Sequence, residues 1–218
     1  MDAFRNFFSS FDAAKMLGAA LHLFAVLLCL TVHETCHGLA AYALGDPTAK
    51  SQRRLSLNPL HHIDWFGLAA MLMLGFGWAK PVPVDMRYFK RPKQGMALTA
   101  LAGPASNLLF AFLALLGCKA VRLYLPDTVL REWALAFLRT LASLTGGLGV
   151  FNLIPISPLD GSKVLFSLLP DAAYRKLLYY ERYGFVLLYA LVFLGALDGF
   201  LSRAVSAVLS AVADLISF

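Results

Sequence analysis

Four stretches of this sequence, beginning at Met16, Met96, Trp133 and Tyr183, run on with hardly a charge, and the charged residues collect in the gaps between them. Such stretches restrict the fold severely. A bilayer core offers no water to bond the backbone, so a spanning segment must satisfy its own N–H and C=O groups, which a helix does. The stretch from Met16 to Leu44 would be about 43 Å long as a helix, enough to cross a bilayer. Gly45-Asp46-Pro47 then ends it, with a glycine suited to a helix C-terminus and a proline that cannot continue one. Composition agrees: 59% of the 218 residues are hydrophobic and 15% charged, too few charges to coat a water-facing surface of this size. The formal net charge of +6 would suggest nucleic acid in a soluble protein. Here the basic residues sit between apolar runs, where the positive-inside rule expects them, so the partner they predict is the lipid bilayer and not nucleic acid.

The gaps and the shorter runs have their own character. Phe66 to Trp78 is apolar but short and glycine-bearing, as expected of a re-entrant or interfacial segment. Residues 79 to 95 are strongly basic, and Pro81 and Pro83 keep the segment from Trp78 to Val84 extended. Met96 to Leu116 contains Ala102-Gly-Pro-Ala-Ser-Asn107, small and polar residues that permit close helix approach. Trp133 to Ile154 is broken at its end by Asn152, Pro155 and Pro158. A short helix and a polar connection are expected over 161 to 182, and one or two helices from Tyr183 onward. Cys29, Cys36 and Cys118 show no disulfide or zinc-finger spacing, and Cys36 reads as a packing residue. The N-terminus lacks the pattern of a cleavable signal peptide. No repeat or appended soluble domain is expected.

His33-Glu34-Thr35-Cys36-His37 is HExxH inside the first apolar stretch. Spacing of i, i+4 puts the two imidazoles on nearly one helix face, where both can bind one Zn²⁺, and sets Glu34 beside them to act on a water. Two histidines and a glutamate in hydrocarbon are costly, so the cluster points to function before it points to a polar network joining helices. A catalytic zinc site wants three protein ligands and an open position. Asn152-Leu-Ile-Pro-Ile-Ser-Pro-Leu-Asp160-Gly161 brings a carboxylate to broken backbone at membrane depth, so Asp160 looks like the third ligand, unless it only caps the next helix. His61 and His62 lie in a polar basic loop and read as surface or packing residues, and His22 as an interhelical hydrogen-bonding group. Asn107 could bond across helices or touch substrate.

The succession HETCHG, LGDPTAK, RLSLNPLHHID, GWAKPVPV, LAGPASN and NLIPISPLDG resembles the site-2 protease family of intramembrane zinc metalloproteases, from about His33 to Asp160. The resemblance implies a three-helix catalytic core in which His33, His37 and Asp160 bind zinc and Glu34 is the catalytic acid–base. It implies hydrolysis of peptide bonds in transmembrane protein substrates, within or at the edge of the bilayer, by a zinc-activated water. Asn152 matches a family asparagine thought to contact substrate or the oxyanion. The PDZ and CBS domains of some members have no counterpart here.

The expected fold is therefore an all-α polytopic membrane protein of about five to six transmembrane or re-entrant helices with a small extended or β element near the active site. It would be one membrane-embedded domain over 1–218, with a catalytic core at about 16–169. The segment from Gly75 to Val84 is expected to offer an exposed edge for an unwound substrate, with Trp78 at the membrane interface. Two other functions compete. A di-iron oxidase of the desaturase type needs about eight histidines, against five here. A zinc or proton transporter would use His33, His37 and Asp160 but gives Glu34 no required role. The excess of Lys and Arg between 45 and 95 over the stretch from Lys119 to Glu132 places the active site towards the cytoplasm of, most simply, the cell membrane. The sequence sets no oligomeric state.

Overall fold

The computed structural model of the chain describes residues 13–74 and 79–216. Its described residues form helices and no strand. Helix α1 (Ala13–Ala43) carries the HExxH pattern. It closes where Gly45 takes a φ of 106°, a left-handed conformation that glycine adopts without strain. A single turn, α2 (Thr48–Ser51), follows, then a ten-residue helix α3 (Trp65–Leu74). Helix α4 (Pro92–Tyr124) begins with proline at its first turn, where the missing N–H costs nothing. Helix α5 (Val129–Asn152) is capped by the Thr128 hydroxyl, which accepts from the Arg131 N–H. After the proline-broken turn come α6 (Asp160–Ser167), α7 (Asp171–Phe193) and α8 (Asp198–Leu215).

Three of these helices, α1, α4 and α5, are long and apolar enough to cross a membrane; α7 and α8 meet at a bend of 87° and could together make a fourth span. The expectation of five to six segments counted α3 and the two C-terminal stretches separately. At about 1.5 Å per residue α3 reaches only about 15 Å, half the hydrocarbon thickness. The α4 helix is also longer at both ends than its apolar stretch, because polar residues continue a helix freely once it has left the hydrocarbon.

The three long helices pack on one another, α4 lying against both α1 and α5. Small residues fill the contact: Ala25 and Cys29 of α1, Ala114 of α4 and Ala142 of α5 are all buried, with Leu141. That is how helices come close in lipid, where apolar burial between helices gains nothing over burial in acyl chains. A second cluster, Ile154, Leu159 and Leu188 with Phe151 and Leu201 against it, seats the proline-broken turn on α7 and α8. Outer faces stay apolar and exposed, as with Leu109, Leu113, Val186 and Phe193.

The expected β element reduces to one antiparallel bridge, Ile63 with Ala79. Residues 80 to 85 run extended without pairing as a strand. Hydrogen bonds from elsewhere in the chain hold them: the Lys80 N–H on the His62 carbonyl at 2.9 Å, the Arg54 guanidinium on the Lys80 and Pro81 carbonyls at 2.7 and 3.3 Å, the Val82 N–H on Glu34 at 2.9 Å and the Asp85 N–H on buried Asp46 at 2.7 Å. Trp78, with Gly75 to Gly77, lies outside the described residues.

Candidate metal centre

The i, i+4 spacing on α1 brings His33 and His37 edge to face, ring centroids 4.4 Å apart. Their Nε2 atoms are 2.9 Å apart. Asp160, the first residue of α6, lies across from them with Oδ2 at 3.1 Å from each Nε2. All three residues are buried and present one ligand atom each to a common point. Separations of that size are close to the edges, about 3.3 Å, of a tetrahedron with zinc–nitrogen bonds of about 2.0–2.1 Å.

The rest of each ring is fixed by what surrounds it. His37 Nδ1 lies 2.7 Å from the Thr99 carbonyl oxygen. A carbonyl only accepts, so Nδ1 carries the hydrogen and Nε2 keeps its lone pair for a metal. His33 Nδ1 faces the Asn107 amide at 3.1 Å. Asn107 is fully buried and its Oδ1 has no partner. Turned by 180°, the amide would present Oδ1 to an Nδ1–H, which would pair the orphaned oxygen and free the His33 Nε2 lone pair as well. Asp160 completes the set with a carboxyl oxygen aimed at the same point, and it is as a carboxylate that such a group binds a cation.

Two glycines permit this arrangement. A Cβ on Gly103 would overlap the His37 ring and lie 2.7 Å from His33 Cε1, so only glycine lets α4 lie against both imidazoles. Pro104, next to it, deprives the Ala100 carbonyl of its helical partner and loosens the turn from which Thr99 reaches His37. A Cβ on Gly161 would overlap the Leu153 carbonyl and lie 2.7 Å from Ile154 O. Glycine after Asp160 thus lets the proline-broken turn fold back over the start of α6.

The three groups form one wall of a cleft of about 330 Å³ that Glu34, Val82, Met96, Asn152, Pro158 and Lys163 also line. Glu34 reaches it from the helix position next to His33, and its Oε2 accepts the Val82 N–H. Asn152 faces the cleft from the end of α5, its Nδ2 donating to the Leu148 carbonyl at 3.0 Å. Asn107 does not line it and is enclosed behind His33. Thr99 and Lys163 were not singled out from the sequence. Gly103 and Asn107 belong to the stretch read there as permitting close helix approach, and they share a helix face with i, i+4 spacing. His62 is buried, with Nε2 at 2.8 Å from the Ser56 carbonyl, and His61 is exposed.

The donor set, two imidazoles and a carboxylate with a cleft on the open side and a second carboxylate beside it, suits hydrolysis assisted by zinc. Comparison with known proteins points the same way. The family described as "Peptidase family M50" matches residues 119–197, the part of the chain that holds Asn152 and Asp160. Over 164 residues the chain is 38% identical to "Putative zinc metalloprotease YwhC" of Bacillus subtilis, an alignment covering 74% of each protein. It is 30% identical over 181 residues to the protein named "Putative zinc metalloprotease Rip2" in Mycolicibacterium smegmatis and in Mycobacterium tuberculosis, covering 79% of this chain and 66% of those relatives. No solved structure matches the chain.

Proposed function

The chain belongs to peptidase family M50, the membrane zinc metalloproteases of the site-2 type, and from that premise we propose that it cleaves transmembrane protein substrates within or at the edge of the bilayer. The observation that carries the reading is the meeting of His33, His37 and Asp160 at one point of a cleft that also holds Glu34.

In this reading His33, His37 and Asp160 hold one zinc ion. Zinc, when bound, supplies Lewis acidity towards the scissile carbonyl and towards water. Glu34 takes the proton of the attacking water and passes it to the leaving amine. The Val82 N–H steadies one carboxylate oxygen of Glu34 and leaves the other for proton transfer. Asn152 donates from its amide to the developing oxyanion or to the substrate backbone. Asn107 acts from behind, by orienting His33. A substrate helix hides its carbonyls in its own hydrogen bonds, so it must unwind before it can be cut. The segment from Gly75 to Val84, with Trp78 at the interface, would hold the unwound stretch. The Lys80 and Val82 N–H groups are already engaged, so an unwound substrate would pair with other backbone groups of the segment. The unit is one membrane-embedded domain over 1–218 with its core at about 16–169, in the cell membrane, its cleft facing the cytoplasm.

The test has two arms. Atomic spectroscopy should find one zinc per purified chain, lost in His33→Ala, His37→Ala and Asp160→Ala. Glu34→Gln should keep the metal and lose cleavage by about 10²–10⁴-fold, and membrane proteomes of cells bearing wild type or Glu34→Gln should differ in the fragments of transmembrane proteins. Full zinc occupancy in Asp160→Ala would remove that residue from the site. Identical proteomes would remove the proteolytic reading.

A further inference from the structure

A second cavity, of about 390 Å³, lies beside the cleft, and the reading above gives it no task. It is walled by α1 from Val26 to Thr31, by α5 from Ser143 to Phe151, and by the stretch holding His62 and Ile63 together with Ala79. Each wall runs on into the catalytic cleft: α1 from Thr31 to His33, α5 from Phe151 to Asn152, and the extended segment from Ala79 to Pro81. The two spaces are therefore successive stations along the same three elements. Val26 to Thr31 lie about 3–10 Å before His33 along the helix axis, which an extended peptide covers in about one to three residues.

The walls are mainly apolar, with Thr31, Asp64, Ser143 and His62 as the polar side chains among them. His62 belongs to the packing: its Nε2 lies 2.8 Å from the Ser56 carbonyl and its Nδ1 is closed off from the cavity. The occupant follows from continuity with the cleft, because a peptide with a carbonyl at His33, His37 and Asp160 brings side chains one to three residues away to these walls. Resting on the protease reading above, we propose that this cavity is a substrate subsite, taking the apolar side chains of a membrane-spanning protein one to three residues from the scissile bond.

Gly147 lines the cavity, and a Cβ built on it meets nothing within 4 Å. Gly147→Leu would fill the space without touching the zinc residues, and leucine suits a helix interior better than glycine. Two probes are needed: a synthetic single-span peptide with a central Asn–Pro pair flanked by leucines, and the same spanning peptide with alanine at the three positions on each side of that pair. The ratio of kcat/KM on the leucine-flanked peptide to that on the alanine-flanked one should fall about tenfold or more in Gly147→Leu. Gly199→Leu, at an equally open glycine outside the cavity, should leave the ratio as in wild type. An unchanged ratio in Gly147→Leu overturns the proposal, and so does displacement of a copurified phospholipid with the ratio intact. Binding is read separately in Glu34→Gln carrying Cys29→Ser and Gly147→Cys. The leucine-flanked peptide, with a single cysteine within three residues of its Asn–Pro pair, should form a disulfide with position 147 under copper phenanthroline. No cross-link overturns the subsite; a cross-link together with no cleavage by zinc-loaded wild type would instead count against the protease reading.

Discussion

Gly103 shows how much of a metal centre is decided by residues that touch no metal. It carries no donor, yet a single methyl group there would enter the space of both imidazoles. Gly103→Ala should therefore loosen both rings at once and lower zinc affinity by about 10–100-fold, the range typical when the support of a ligand is lost. Asn107→Leu should cost a similar factor, by removing the amide that faces His33 Nδ1. Competition with a chromogenic chelator measures both, and unchanged zinc affinity in Gly103→Ala would mean that α4 can back away from the rings. The meeting of His33, His37 and Asp160 was legible in the sequence. HExxH has a fixed helical geometry, and a carboxylate directly after broken backbone at membrane depth has few other uses. Of their supports, Asn107 was legible as a residue able to bond across helices though its partner was not, and Thr99 was not legible at all, because the two reach the histidines across 74 and 62 residues of chain. Spacing along one helix carries no information about a contact that only the packing of α4 on α1 creates.

Elements were legible where hydrophobic runs had room to declare themselves. The ends of α1 and α5 fall close to their punctuation, Gly45 for the one and the prolines after Asn152 for the other. The segment after α3 was harder. Two prolines mark the segment of residues 80 to 85 as extended, but do not show what its backbone groups bond to. The answer is set by Arg54, His62, Glu34 and Asp46, each on a different part of the chain. The Val82 tie gives this element a direct link to chemistry, since a hydrogen bond to a charged group contributes about 1.5–3 kcal/mol. Val82→Pro deletes the donor while the segment remains extended and held by Arg54, Lys80 and Asp85. Cleavage should fall about ten- to hundredfold with zinc content and melting temperature kept. Loss of zinc together with activity would show instead that the segment props up the metal residues. A rate equal to wild type would mean that Glu34 needs no support from it.

At the scale of the whole molecule, one end of the bundle holds the centre and most of the positive charge. The end of α1, the start of α4, the end of α5 and the start of α7 gather on that side, linked by Lys93, whose ammonium pairs with Asp171 at 2.9 Å. Lys50, Arg53, Arg54, Lys80, Arg87, Lys90, Arg91, Lys163, Arg175 and Lys176 all belong to this end. The opposite end, where α1 begins and α4 turns into α5, has Lys15, Lys119, Arg122 and Arg131. Lys119 and Arg122 are on the last turns of α4, which leaves the asymmetry intact and the connection at residues 125–128 short. Short connections are where the positive-inside rule is strongest, so the richer end is expected in the cytoplasm. His37 lies six residues inside Ala43, about 9 Å along the helix, so the centre would be shallow on that side and reachable by water from it. Lys50→Cys and Asp127→Cys, each in a chain with Cys29, Cys36 and Cys118 replaced, settle the orientation. A membrane-impermeant maleimide added to intact cells should label position 127 and leave position 50 protected until the membrane is opened. Labelling of position 50 with protection of position 127 would turn the molecule over and put zinc-dependent cleavage on the outer side.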